Sequence, residues 1–159
     1  SAPPADADAR ALVRGLQQRA ASVGSSLELA RARVAATDLP RTVIHGDYGI
    51  HNLIYRSDGT AVVHDLELSR YDWRLLDIVI VFTRIAPDHR DVFIEGYRAA
   101  NELPDDELAW LPDLSRYYLL SGAVRSWHGY EELGDVRRLV KAASRLDEVL
   151  AQRIGAAAQ

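Results

Sequence analysis

The chain has 159 residues, of which 48% are hydrophobic and 26% are charged, so its composition is that of a folded globular domain. It contains no cysteine and carries a formal charge of −4, which excludes a disulfide framework and argues against binding to a nucleic-acid backbone. The longest apolar run, residues 78–82, is far too short to span a membrane, and no secretory signal is visible, so we expect a cytoplasmic protein.

The amino-terminal quarter of the chain is predicted to be helical. Residues 1–9 are rich in Ala, Pro and Asp and are predicted to be a disordered leader, so the folded domain is expected to span residues 10–159. Apolar residues recur at helical spacing from Arg10 onwards. Gly24-Ser25-Ser26 predicts an interruption, followed by a second helix that ends near Ala36.

The pattern then changes to short strands. Thr42-Val43-Ile44 is a β-branched run that predicts a strand. Leu53–Tyr55 and Ala61–Val63 flank the turn sequence Ser57-Asp58-Gly59-Thr60, and this arrangement predicts a β-hairpin. These strands form the small sheet component of the fold.

The remainder of the chain is predicted to be helical, with Asp72 as the residue that caps the first of these helices. The predicted helices lie near Trp73–Ile85, Arg90–Asn101, Asp105–His128 and Asp135–Ile154. The sequence therefore predicts a mainly α fold with a small β-hairpin or sheet, which is an α+β class.

Polar residues that can carry chemistry cluster around the hairpin. Asn52 begins its first strand and Asp65 follows its second, so we expect the two side chains to lie side by side at the open end. Carboxylate and amide oxygens are the hard ligands that Mg²⁺ prefers, together with substrate phosphates. Asp47, on the preceding loop, is placed to accept a proton from an attacking hydroxyl or to orient it. Phosphoryl transfer needs little more from this side of a site than a positioned nucleophile and cations that neutralise the phosphates.

These residues also form a recognisable motif. His45-Gly46-Asp47 followed after four residues by Asn52, and then His64-Asp65-Leu66-Glu67, resembles the catalytic region of the aminoglycoside phosphotransferase and choline kinase family. That family has a protein-kinase-like fold, and the spacing of the first motif matches the protein-kinase catalytic loop. Asp77 resembles the family's Asp-Leu-Ala element, and Phe93–Tyr97 resembles its Phe-x-x-Gly-Tyr helix. The chain is therefore expected to be the C-terminal helical lobe of such a phosphotransferase.

The resemblance implies a role for each matching residue. Asp47 is expected to be the catalytic residue that faces the acceptor hydroxyl, and His45 is expected to brace its loop by hydrogen bonding. Asn52 and Asp65 are expected to bind Mg²⁺ and, through it, ATP. The implied acceptor is a hydroxyl group of a small molecule, such as an aminoglycoside-like antibiotic or an amino alcohol.

Two further positions match and two depart from the family pattern. Glu67 stands where the family often carries an acidic residue, and Asp77 is expected to tie its helix to the catalytic loop. His64 takes a place that is usually apolar, and Leu66 takes one that is often aromatic. The likeness extends over most of the chain.

A complete kinase of this kind needs an N-terminal lobe with a glycine-rich loop and a lysine that contacts the phosphates. The residues before His45 contain no lysine, since Lys141 is the one lysine of the sequence. They also contain no glycine-rich loop. We therefore expect this chain to lack the nucleotide lobe and to be inactive alone. We also expect it to expose the surface where that lobe docks, which self-association could cover.

Two other functions are compatible with the same residues. A metal-dependent hydrolase would use a His and Asp cluster to activate water. The candidates for that cluster are His45, Asp47, His51, His64 and Asp65. A non-catalytic binding module derived from a kinase would keep the fold without the reaction.

Overall fold

The computed structural model describes residues 7–156, and it confirms a mainly helical chain with a small β component. Within these residues the helices are α1 (Ala7–Ala35), α2 (Leu75–Phe82), α3 (Arg90–Ala100), α4 (Asp105–Leu108), α5 (Leu111–Leu133) and α6 (Val136–Ala156). The strands are β1 (Arg41–Ile44), β2 (Leu53–Tyr55), β3 (Ala61–Val63) and β4 (Arg70–Trp73).

Within the described residues, the chain forms two compact units, one from residues 7–36 with 116–156 and the other from residues 37–115. The first unit has an apolar core to which α1, α5 and α6 all contribute. Its most buried members include Ala9, Leu119, Leu120, Leu139 and Ala142. All four strands and the polar cluster belong to the second unit.

Helix α1 differs from the prediction in two respects, where it begins and whether it is interrupted. It begins by Ala7 and buries Ala9, so the last residues of the predicted leader are helical, while residues 1–6 lie outside the described residues. It also continues through Gly24-Ser25-Ser26, where two helices were predicted. A glycine inside a helix costs only about 1 kcal/mol, and burial of Leu16 and Val34 on either side of it offsets that cost.

The predicted strand at Thr42 is confirmed, but its partner was missed. β1 pairs antiparallel with β4, in a register that sets Val43 opposite Tyr71 and Thr42 opposite Asp72. Asp72 is therefore a strand residue, and its prediction as a helix cap is wrong. Helix α2 begins two residues beyond β4, at Leu75, without a side-chain cap.

The predicted hairpin is confirmed in place and in extent. β2 and β3 pair antiparallel with Leu53 opposite Val63 and Tyr55 opposite Ala61. Asp58 stabilises the turn, because its carboxylate accepts hydrogen bonds from the backbone N–H and the hydroxyl of Thr60 at 2.9 and 2.7 Å.

The long helix predicted from Asp105 to His128 is divided into α4 and α5. Pro112 explains the division, because proline fits the first turn of a helix but not its interior. Helix α5 accordingly begins at Leu111. None of the helices within residues 7–156 has both the length and the apolar character needed to cross a bilayer.

A buried ion pair holds the start of α2 to α4 within the second unit. Two of the three guanidinium nitrogens of Arg74 donate to the carboxylate of Glu107, Nε at 2.7 Å and Nη2 to the second oxygen. Glu107 is buried. A charge taken out of water in this way needs such a partner, so the pair fixes the position of the helix that carries Asp77.

Candidate active site

The loop after β1 turns sharply at Gly46. Its φ of 80° is in the left-handed region, which glycine adopts without a steric penalty. A Cβ atom at this position would overlap the backbone carbonyl of Leu68 and the side chain of Arg70. The sequence therefore needs glycine here for two reasons: the positive φ and the lack of space for a Cβ atom.

Helix α2 anchors the loop through Asp77. Six of the helix's eight residues are buried and apolar, and Asp77 is its acidic residue. Its two carboxylate oxygens accept hydrogen bonds from the backbone N–H groups of His45 and Gly46, at 2.8 and 2.9 Å. These two hydrogen bonds tie α2 to the loop that carries Asp47.

The imidazole of His45 links the loop to the end of the hairpin. Its Nε2 lies 2.9 Å from the carbonyl oxygen of His64, and its Nδ1 accepts from the backbone N–H of Asp47 at 3.3 Å. These partners assign the proton to Nε2, because Nδ1 acts as the acceptor. His45 is only 8% exposed, so its ring is buried where it makes these hydrogen bonds.

Asp47 and Asn52 are joined directly. The side-chain Nδ2 of Asn52 donates to the backbone carbonyl of Asp47 at 3.0 Å and to its carboxylate Oδ2 at 3.2 Å. Asn52 is buried, with 3% exposure. Because its amide nitrogen is committed to Asp47, its amide oxygen is the atom that remains for a cation.

Arg84, in the turn that ends α2, was missed by the sequence analysis. Its guanidinium pairs with carboxylate Oδ1 of Asp47, while His51 lies 3.4 Å from Oδ2. Partial burial raises the pKa of Asp47, but the hydrogen bonds from Arg84, His51 and Asn52, with the positive charge of Arg84, outweigh it. The pKa of Asp47 therefore lies below its ordinary value, and the carboxylate is ionised at neutral pH.

Asp65 follows the second strand of the hairpin. The backbone N–H of His64 donates to the carbonyl of Asn52 at 3.1 Å, so the pairing of the two strands extends to the residue before Asp65. Asp65 itself has a φ of 62°, and no other non-glycine residue within residues 7–156 has a positive φ. Its side chain is exposed, as is that of Glu67 in the short 3₁₀ turn Leu66–Leu68.

The hydrolase alternative requires a cluster of metal-binding side chains. Across the described part of the chain, no group of three or more His, Cys, Asp or Glu residues is placed to hold a metal ion. His45 and His51 instead contact Asp47 by hydrogen bonds. The convergent ligands that such a hydrolase needs are therefore not assembled among these residues.

The site therefore consists of a loop aspartate, a buried asparagine hydrogen-bonded to it and an exposed aspartate that follows the hairpin. The profile of the phosphotransferase enzyme family (APH) matches residues 2–120, which is more than half of the chain. The chain therefore belongs to this family, as its motifs predicted. No curated protein matches the chain.

Proposed function

We propose that this chain supplies the catalytic half of an ATP-dependent phosphotransferase that acts on a hydroxyl group of a small molecule. Asp47 faces the acceptor hydroxyl, and Asn52 and Asp65 hold the Mg²⁺ that accompanies ATP. The acceptor is an aminoglycoside-like antibiotic or an amino alcohol, and the acidic balance of the chain suits such a cationic molecule.

The hydrogen bond from Asn52 to Asp47 is the observation that carries the proposal. One side chain restrains the carboxylate through its amide nitrogen and leaves its amide oxygen as the candidate ligand for a cation. In this proposal the side chain of Asn52 holds both Asp47, which positions the attacking hydroxyl, and the Mg²⁺ that positions the phosphates. Such fixed positioning is the main contribution that a protein makes to phosphoryl transfer.

Magnesium fits the donor set of this site. Asn52 offers an amide oxygen and the exposed Asp65 offers a carboxylate, both of which are hard ligands. Magnesium needs only one or two such protein ligands, because waters and phosphate oxygens complete its shell. When bound, it would neutralise charge on the phosphates.

Asp47 orients the acceptor hydroxyl. Its carboxylate has about four acceptor positions, and Arg84, His51 and Asn52 occupy three of them. The remaining position can accept the hydroxyl proton while the hydroxyl oxygen bonds to the γ-phosphorus. The bond from that phosphorus to the β–γ bridging oxygen breaks, which leaves ADP and the phosphorylated acceptor. The proton passes to Asp47 and then to solvent.

An exposed apolar surface lies on the same unit as the site. Val43 and Tyr71 stand opposite each other on β1 and β4, with 71% and 69% exposure. Other exposed large apolar residues of the same unit are Ile50, Ile54, Tyr55, Val63, Leu66, Leu68 and Val92. We propose that a nucleotide-binding lobe covers this apolar surface in the complete enzyme, which brings ATP to Asn52 and Asp65.

The isolated chain is then expected to be inactive and to self-associate through this surface. Sedimentation velocity across a concentration series tests the second expectation, with Tyr71→Lys as the variant and exposed Val140→Lys on α6 as its control. Association that Tyr71→Lys abolishes supports the proposal. A wild-type chain that stays monomeric throughout, or association that only Val140→Lys reduces, contradicts it.

The function itself is tested by phosphate transfer. The protein is expressed from its complete open reading frame and incubated with Mg²⁺, γ-labelled ATP and a panel of aminoglycosides, amino alcohols and sugars. Label appearing on a hydroxyl of one acceptor class is the expected result. Label released only as inorganic phosphate, or retained on ATP with every acceptor, contradicts the proposal.

A further inference from the structure

The turn that ends α2 makes three contacts with the loop of residues 45–49, which carries Asp47 and is called the catalytic loop below. Arg84 pairs with the carboxylate of Asp47, and its Nη1 donates to the backbone carbonyls of Asp47 and Tyr48, both at 3.0 Å. The Arg84 side chain is 30% exposed. One guanidinium therefore restrains the peptide units and the side chain of the same loop.

The opposite end of the same helical segment holds the preceding part of the loop. Asp77 accepts from the N–H groups of His45 and Gly46. Asp77 lies in the first turn of α2 and Arg84 lies in the turn that follows its last residue, Phe82. Asp77 therefore accepts hydrogen bonds from N–H groups of the loop, and Arg84 donates hydrogen bonds to its oxygen atoms.

We propose that Arg84 is a positioning residue for Asp47, which fixes the carboxylate and its loop against α2 in the geometry used for phosphoryl transfer. The inference rests on the proposed function, because it assigns Arg84 a part in that reaction. Arg84 acts through Asp47 and is not itself proposed to contact ATP or the acceptor.

The chemistry of arginine suits this task better than that of lysine. A guanidinium is planar and presents several N–H donors in fixed directions, so it can bind a carboxylate and carbonyls together. A lysine ammonium carries the same charge without that planar arrangement of donors. Arg84→Lys therefore separates the charge of the residue from its geometry.

The chain offers a matched control in Arg98. Its Nε donates to the carbonyl of Leu103 at 3.0 Å, and its Nη2 pairs with Asp105, so it also binds one carbonyl and one carboxylate. It lies in the same unit but contacts no residue of the catalytic loop through these bonds. Loss of Arg98 removes a similar set of contacts without loosening Asp47.

The first test is spectroscopic and uses the chain without any substrate. The side-chain NH₂ of Asn52 donates to Asp47, so its ¹H–¹⁵N signals report the position of that carboxylate. We expect Arg84→Gln to move these signals towards those of a free amide and to speed their exchange with water. Arg84→Lys should give a smaller shift, and Arg98→Gln should give none.

The second test measures the reaction of the protein expressed from its complete reading frame. We expect Arg84→Gln to lower kcat by about 10²-fold, as misplacement of a catalytic group does, with the KM for ATP within about twofold. Arg84→Lys should recover part of the loss and Arg98→Gln should retain wild-type kcat. If Arg84→Gln does not fold, the Asn52 signals and kcat of Arg84→Lys take its place in both tests.

The outcomes separate this inference from the proposed function. Unchanged Asn52 signals in the Arg84 variants overturn the positioning role whatever the activity, as does an unchanged kcat in an active enzyme. Shifted signals in a protein that transfers no phosphate contradict the proposed function, and with it the catalytic part of the inference, but leave the contact between Arg84 and Asp47 established.

Discussion

The side-chain amide of Asn52 donates both of its hydrogen bonds to Asp47, one to the backbone carbonyl and one to the carboxylate. Asn52 is buried, so neither bond can be replaced by water without cost. The pair therefore links Asp47 to the 3₁₀ turn Ile50–Asn52, which leads directly into β2 of the hairpin. This link can be tested apart from any catalysis.

Asn52→Asp should destabilise the chain by about 2 kcal/mol at pH 7, because it removes a donor and sets two carboxylates against each other. The pKa of Asp47 is lowered in the wild-type fold, so its ionised form stabilises the fold above the unfolded-state pKa. That contribution is lost as the pH falls through the folded-state pKa.

In Asn52→Asp the repulsion between the carboxylates is also relieved as one of them binds a proton. The difference in free energy of unfolding between wild type and variant should therefore be smaller at pH 4 than at pH 7. Urea unfolding in the presence of a chelator measures it at both values. An equal difference at the two pH values would show that the carboxylates do not interact.

Gly46→Ala and Gly59→Ala form a matched pair. Both glycines have a φ near 80°, so alanine pays the left-handed penalty of about 1 kcal/mol at either site. At Gly46 the new methyl group also overlaps the carbonyl of Leu68, whereas nothing lies within 4 Å at Gly59. Urea unfolding should show an additional loss of about 1–3 kcal/mol for Gly46→Ala. Equal losses would contradict the tight turn.

Asp65→Gly should leave the stability unchanged or raise it by up to about 1 kcal/mol, because glycine adopts the left-handed conformation more easily than aspartate. The same change at Asp88, an exposed residue in a 3₁₀ turn, should be destabilising. Thermal unfolding compares the two variants. A large loss of stability for Asp65→Gly would mean that its carboxylate serves the fold and not a ligand.

The buried ion pair should matter far more than an exposed one. Glu107→Gln leaves the charge of Arg74 without its carboxylate and is expected to cost about 3 kcal/mol. Asp105→Asn, in the exposed pair with Arg98, should cost less than about 1 kcal/mol. Urea midpoints for the two variants measure the difference, and similar midpoints would show that the pair does not anchor α2.

The sequence was most informative where chemistry and turn formation depend on neighbouring residues. The turn sequence around Gly59 predicted the hairpin because Asp58 and Gly59 favour that turn locally. The hairpin then related Asn52 to the residues that precede Asp65. The family was also predictable, because its motif has a fixed spacing.

Features that depend on distant contacts could not be predicted in the same way. β4 has the mixed sequence Arg-Tyr-Asp-Trp, which forms a strand because β1 lies beside it. Arg84 follows an apolar helix, and nothing near it in the sequence indicates that it reaches Asp47. Helix α1 remains whole because its packing outweighs the helix-breaking tendency of Gly24.

We propose that Asp47 is the catalytic residue of a phosphotransferase. The most direct test compares ADP formation by wild type, Asp47→Asn and Asp88→Asn, each expressed from the complete reading frame and assayed with Mg²⁺, ATP and an identified acceptor. We predict that Asp47→Asn loses about 10²–10⁴-fold in kcat while remaining folded, and that Asp88→Asn does not. An Asp47→Asn enzyme with wild-type kcat would contradict the account.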